Sequence, residues 1–303
     1  IEDVYGGAIV YQYELLYREE SVEIENVGIE NIRIESIFAS ETDENHGKHA
    51  VRVQRVNDGW IRQLTARHFW SGAVLLRRSS HDVTVEDSAS VDPKGTLGGG
   101  RRYGFVIDDG SSILVHRCYV RDGRHDYASS SRTAGPNVFV DSLSVDSYND
   151  IGPHERFSTG QLYDNIKTNM NPLDDNDNGG EMNVQNRGSS GSGHGWAGVQ
   201  IMFWNSEATR WRAHAANGAM SWAIGMIGEK GGFLSNRIPE PDGIIQSHGT
   251  HVTPRSLYYT QLKDRLGVNA LHSVVVPAQN EGTIWNDLGA WQGDGLFGDA
   301  VVA

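Results

Sequence analysis

The chain is expected to be all-β: a solenoid of stacked coils with one short helix near its C-terminus. Two observations carry this. Short β-type runs recur at a nearly fixed interval: Ile61 in WIRQLTA is followed by Val83 after 22 residues, Ile113 by Val138 after 25, and Val138 by Leu162 after 24. Each copy alternates apolar and polar residues and is too short to bury its own apolar face, so neighbouring copies must stack to make a core. The second observation is composition. There are 36 Gly among 303 residues, with many Asn, Asp and Ser, which suits a chain made largely of turns between short strands. A β-sandwich would place its strands about 8–12 residues apart with hairpin turns between them, and that spacing is not seen.

Taken in order, residues 1–20 read as an edge of the fold, in the form of a hairpin. Residues 21–40 alternate cleanly and predict half-buried strands with a turn near Gly28, while Asn31 and Asn57 stand at turn-like positions. Residues 41–49 form a polar loop with two histidines, His46 and His49, read as solvated. Two further rungs fill 50–92. The stretch from Gly99 to Arg156 adds more, and between its β runs it is rich in Arg, His and Asp. Residues 254–267 predict a helix with Ser256 as N-cap and Gly267 at its end, placed to cover the open end of the solenoid. Residues 1–250 are thus expected to form the solenoid and catalytic domain, with 251–303 a helix and tail packing on it. The tail from 268 shows no readable chemistry.

The rung AVRVQRVNDGWIRQLTARHFWSGAV resembles the repeating core of right-handed parallel β-helix proteins of the pectate-lyase-like superfamily, in which a strand, an Asn/Asp-Gly pair, an aromatic and a second strand mark one coil. The likeness covers roughly residues 20–230. It implies a single-stranded right-handed parallel β-helix, a scaffold that carries lyases, hydrolases, esterases and phage receptor-binding proteins. The phrases GGRRY, GRHDY, GPNVF, GPHERF and SGSGHGWAG resemble one bacterial family of this kind, to which no activity is attached.

Charge narrows the function. A net charge of −13 argues against a nucleic-acid partner, and no run is long and apolar enough to span a membrane. The basic residues are 21 Arg against 5 Lys. Arg binds carboxylate or sulfate bidentately, so an Arg- and His-rich cluster in an acidic protein points to a small anionic group held in a focused site. Stacked coils lie about 4.8 Å apart. A local period of 25 then sets Gly100 on His125 and His125 on Asp150, with Arg101 on Asp126 and Arg102 on Tyr127. The expected catalytic residues are His125, His154, Arg124, Asp126 and Asp150. The expected substrate-binding residues are Arg101, Arg102, Arg132, Arg156, Asn186, Arg187, His194 and Trp196.

This set fits a polysaccharide lyase acting on an anionic, uronic-acid-containing polysaccharide by β-elimination. Arg101, Arg124, Arg132 or Arg156 would neutralise the carboxylate, and His125 and His154 would serve as base and acid. An extracellular or periplasmic location follows from that substrate. Two alternatives stand beside it. An inverting glycoside hydrolase would use Asp126 and Asp150, with Asp108 and Asp109 in reserve, at a separation of about 6.5–9.5 Å. A non-catalytic glycan-binding or structural solenoid would use the histidines as turn and core residues. Some of the eight Trp would line a groove and most would be core. No metal or other cofactor is expected, except that the insert LDDNDNGG (173–180) has the composition of a calcium loop without its closing Glu. The single cysteine, Cys118, excludes an internal disulfide and reads as a core residue. The chain begins at Ile1 without a Met or a signal-like segment and is read as a mature form or a fragment; its oligomeric state is not legible.

Overall fold

In the computed structural model, residues 23–174, 179–232 and 240–291 are described. Every pairing between named strands is parallel, and each runs to the next turn of the chain. The chain therefore winds as a parallel β-helix. Coil 1 holds β1 (Ile24–Glu25) and β2 (Gly28–Glu35). Coil 2 holds β3 (His49–Gln54) and β4 (Val56–Arg67), and coil 3 holds β5 (Gly72–Glu86) and β6 (Ala89–Val91). Coil 4 contains β7 (Phe105–Ser111), β8 (Ile113–His116) and β9 (Tyr119–Arg121). Coil 5 contains β10 (Tyr127–Ser129) and β11 (Ala134–Ser147), and coil 6 β12 (Asp150–Pro153) and β13 (Ser158–Met170). The last turns use β14 (Glu181–Val184), β15 (Gly198–Val199), β16 (Met202–Trp204), β17 (Glu207–Ala213), β18 (Trp222–Ile224), β19 (Ile227–Lys230) and β20 (Ile244–Gln246).

The true local repeat is 24 rather than 25. Asn137 pairs with Ile113, and Val138 with Leu114. Side chains alternate along a strand, so a slip of one residue exchanges inside for outside. Ile113, Val115 and Phe139 point inward and are fully buried or nearly so, whereas Val138 is only half-buried. The inward rings of Phe105, Tyr127, Phe139, Tyr163 and Phe203 follow one another at centroid distances of 5.8, 6.1, 4.9 and 5.5 Å. Cys118 is fully buried, and burial pushes its thiol far above the usual range.

The Asn, Asp and Ser content has two uses. Inward hydroxyls one coil on accept from backbone N–H groups that the bend leaves without a strand partner: Val56 N–H donates to Ser80 Oγ, Leu64 to Ser88 and Cys118 to Ser142. Along one corner, Asn31, Gln63, Asp87, Arg117, Asp141, Asn165 and Asn205 stack coil on coil, all in the left-handed region with φ between 44 and 54°. Asn and Asp tolerate that conformation better than other non-glycine residues. Asn31 thus marks a bend inside β2, not a turn before a strand, and Asn57 lies within β4.

The same corner receives the C-terminal segment. Helices α1 (Leu257–Leu266), α2 (Val268–His272), α3 (Pro277–Glu281) and α4 (Ile284–Ala290) pack along the side of the solenoid, and not over an open end as the sequence suggests. Asn205 and Asn165 donate to the carbonyls of Val252 and Arg255, Arg255 pairs with the fully buried Asp141, and Gln279 donates to the same carboxylate. Ile284, Leu288 and Trp291 cover Ala89, Val91, Tyr119 and Leu143. The helix prediction itself holds: Ser256 caps α1 by accepting from Tyr259 N–H, and Gly267 ends it at φ 86°. Residues 1–22 and residues 175–178 of the insert 173–180 lie outside the described residues, so neither the N-terminal hairpin nor the calcium loop is described.

Candidate active site

Two longer connections supply the walls. Residues 92–104 run from β6 to β7, and residues 185–197 run from β14 to β15. Together with β3, β5, β7, β10 and the residues that follow β12 they line a groove of about 690 Å³. Lys48, Arg77, Arg124 and Arg187 line it, against the carboxylates of Asp108 and Glu155. Tyr103, His49, His154 and His194 also line it, with several serines.

The floor is a connected buried network. Asp150 opens β12 beneath the groove. Its Oδ1 lies 2.5 Å from His125 Nδ1, its Oδ2 accepts from Asn183 Nδ2 at 2.6 Å, and Arg187 Nη1 stands 3.4 Å from Oδ2. Burial by itself would raise this carboxyl, but Arg187 and His125 outweigh it and hold Asp150 well below the usual carboxylate range. Arg187 also donates to His154, at 2.8 Å to Nδ1 and 3.0 Å to the carbonyl. A guanidinium can only donate, so His154 Nδ1 accepts and its proton sits on Nε2. That N–H faces Tyr103 Oη at 3.0 Å. The phenol oxygen therefore accepts, and its own proton is not used in this bond.

Burial sets the protonation states. It depresses His154, with His125 and Arg187 adding to the effect. It lowers His125 to about 4, so that ring is neutral near pH 7. With its Nδ1 proton directed at Asp150, His125 keeps a bare, buried Nε2 that has no hydrogen-bond partner. Burial raises Tyr103 to about 12, Arg124 pulling weakly the other way. At the groove wall, His194 Nδ1 lies 3.5 Å from Glu155 Oε2, and its ring is 4.8 Å from that of His154.

The structure brings together His125, Asp150, His154, Arg187, Arg124 and His194. It separates the others. Asp126 points into the coil, where Ser144 Oγ donates to it at 2.5 Å and burial raises it to about 7. Phe105, not Arg102, pairs with Tyr127, an offset of 22, and the Arg102 carbonyl instead accepts from the N–H groups of Arg124 and His125. The expected pairs Arg101–Asp126 and Arg102–Tyr127 therefore do not form. Arg101 is held by Glu44 at 3.0 and 2.7 Å, and Arg102 donates to the Gly95 carbonyl. Arg156 pairs with Glu155 and Ser192, Asn186 donates to Glu240, Arg132 bonds the Arg156 carbonyl through its backbone N–H, and Trp196 pairs with Asn186 through a β-bridge. None of these six lines the groove. Of the reserve carboxylates, Asp108 lines it but is paired with Arg77 at 3.2 Å, and Asp109 does not line it.

Tyr103, Asn183 and Glu155 were missed, as were Lys48, Arg77 and His49. A visible signal existed for Tyr103: setting GRRYG over GRHDY by their glycines gives an offset of 23, nearer the true 22 than the period of 25. His49, read as solvated, lies in the groove, and burial lowers it to about 4.

His125, Asp150 and His154 are the described residues whose donor atoms come close enough to hold a metal ion, all within 4.8 Å of one another. Arg187 Nη1 lies 2.8 Å from His154 Nδ1 and 3.4 Å from Asp150 Oδ2, while His125 Nε2 has no hydrogen-bond partner. Compared with known family models, curated proteins and solved structures, the chain matches none.

Proposed function

We propose that the protein is a polysaccharide lyase of the pectate-lyase-like kind, cleaving an anionic polysaccharide by β-elimination in this groove. The observation that carries the reading is the Arg187–His154–Tyr103 chain, which presents a protonated phenol and a guanidinium to the same cationic groove. Arg187 and Arg124 neutralise the substrate carboxylate and so acidify the C–H beside it. His194, whose Nδ1 lies 3.5 Å from Glu155 Oε2, removes that proton. The electron pair forms a carbon–carbon double bond, the bond to the glycosidic oxygen breaks, and Tyr103 protonates the leaving oxygen. His154 Nε2–H stabilises the phenolate left behind. These roles differ from those expected of the sequence: His125 is 1% exposed and acts only by holding Asp150, while His154 positions Tyr103.

The hydrolase reading loses its carboxylate pair, since Asp126 is inside the coil and Asp150 is bound by His125, Asn183 and Arg187. The test is incubation with a panel of uronate polysaccharides while following the ultraviolet absorbance of the unsaturated product. Tyr103→Phe is expected to lower kcat by roughly 10²–10⁴-fold with an unchanged melting temperature, the range of lost general-acid catalysis. New reducing ends without that absorbance would overturn the proposal in favour of hydrolysis.

A further inference from the structure

A second recess of about 390 Å³ lies on another wall of the solenoid, over β2, β4, the second half of β5 and β8. Trp60 stands at its centre, between Gly28 of coil 1 and Thr84 of coil 3. The indole lies on Gly28 so closely that a Cβ there would come within 2.1 Å of its Cε2 and Nε1. A Cβ at position 28 would displace the ring from this seat, although the backbone there is not left-handed. The ring is also tied at its edge. Nε1 donates to Glu30 Oε1 at 2.5 Å, and Arg62 donates to Glu30 Oε2 at 2.8 Å. Trp60 is nonetheless 37% exposed.

A flat aromatic surface, locked in place and rimmed by a carboxylate, a guanidinium, the Thr84 hydroxyl and Ser273, matches a sugar ring. The C–H face of a pyranose stacks on the indole, and its hydroxyls meet the polar rim. Charge selects among sugars. Glu30 and Glu86 face this recess with Arg62, and Arg62 is already paired with Glu30. An anionic sugar finds no unspent cation here, unlike in the groove on the β3–β5–β7 wall. We infer that Trp60, Glu30 and Arg62 form a second, non-catalytic site for a neutral pyranose unit. This inference does not depend on the chemistry assigned to the groove.

The test is electrophoresis through native gels cast with soluble neutral polysaccharides (galactomannan, xyloglucan, laminarin, arabinoxylan) or with polygalacturonate. The wild type is expected to be retarded by at least one neutral gel. Trp60→Ala should weaken that retardation at least about fivefold, Trp60→Phe should keep it within about twofold, and Tyr103→Phe should leave it unchanged. Melting temperatures check that the variants are folded, and Glu30→Gln, which keeps the ring but loosens its edge, should weaken retardation if Trp60→Ala does not fold. The inference is overturned by no retardation in any neutral gel, by equal retardation of wild type and Trp60→Ala, or by loss of retardation in Tyr103→Phe, which would move the binding to the groove.

Discussion

Asp126 shows how far a residue's role depends on which way it faces. As a sequence symbol beside His125 it looks catalytic, but inside the coil it is a buried acid held by Ser144. Its folded-state value of about 7 lies above the ordinary carboxyl value of 3.8. Between those values the folded chain binds more protons than the unfolded one, so this group's contribution to stability is present at low pH and is lost as pH rises toward 7. Asp164, raised by burial to about 7 against the hydrogen bonds from the Tyr258 N–H and Ser256 Oγ, acts in the same sense. His125 and His49, lowered to about 4, act in the opposite sense: their contribution is present above 6.5 and is lost as pH falls toward 4. Asp126→Asn is therefore expected to gain melting temperature relative to the wild type as pH is raised from about 4 to about 8. A difference between the two proteins that does not change with pH would contradict the assignment.

At the scale of elements, the left-handed corner does two jobs. It turns the chain between sheets, and its outward Arg117, Asp141, Asn165 and Asn205 bind the C-terminal segment. Helix α1 alone is too short to be stable in isolation. Its partners on the flank, together with the buried α4 residues Ile284 and Leu288, hold the segment down. Leu288→Ala should cost about 2–5 kcal/mol, the range for truncating a buried leucine. Denaturant titration measures it, and a cost below about 1 kcal/mol would mean that the helices rest loosely on the coils. The turnover proposed for the groove should survive the substitution below the unfolding transition, because the helices sit on a different wall.

For the molecule as a whole, the contrast is between a net charge of −13 and a groove lined by Lys48, Arg77, Arg124 and Arg187. An acidic exterior repels a polyanion at long range, while the cationic groove attracts it at short range. Exposed charges are screened over about 8 Å at physiological salt, and buried ones far less. If the proposed lyase activity holds, raising salt should therefore weaken KM for a polyanionic substrate through the exposed Lys48, while kcat, assigned to the buried Arg187–His154–Tyr103 chain, changes little. A salt response in kcat as large as that in KM would contradict this division.

The sequence by itself determined the coil. Stacked apolar alternation has few other ways to be buried, and the Asn, Asp and Ser content announced the bends. It also located the polar stretch from which His125, Asp150 and His154 come. What only the tertiary structure decided was facing and register. Insertions of unequal length change the offset between coils from 22 at β7–β10 to 24 at β10–β12 and 31 at β12–β14, so no single period could align Tyr103, His125, Asp150 and Asn183. Because side chains alternate along a strand, each one-residue error turned a groove residue into a core residue, as with Asp126. The helices met the flank and not the end for a related reason: the corner that holds them is assembled from residues 24 to 40 apart, and it exists only once the coils are stacked.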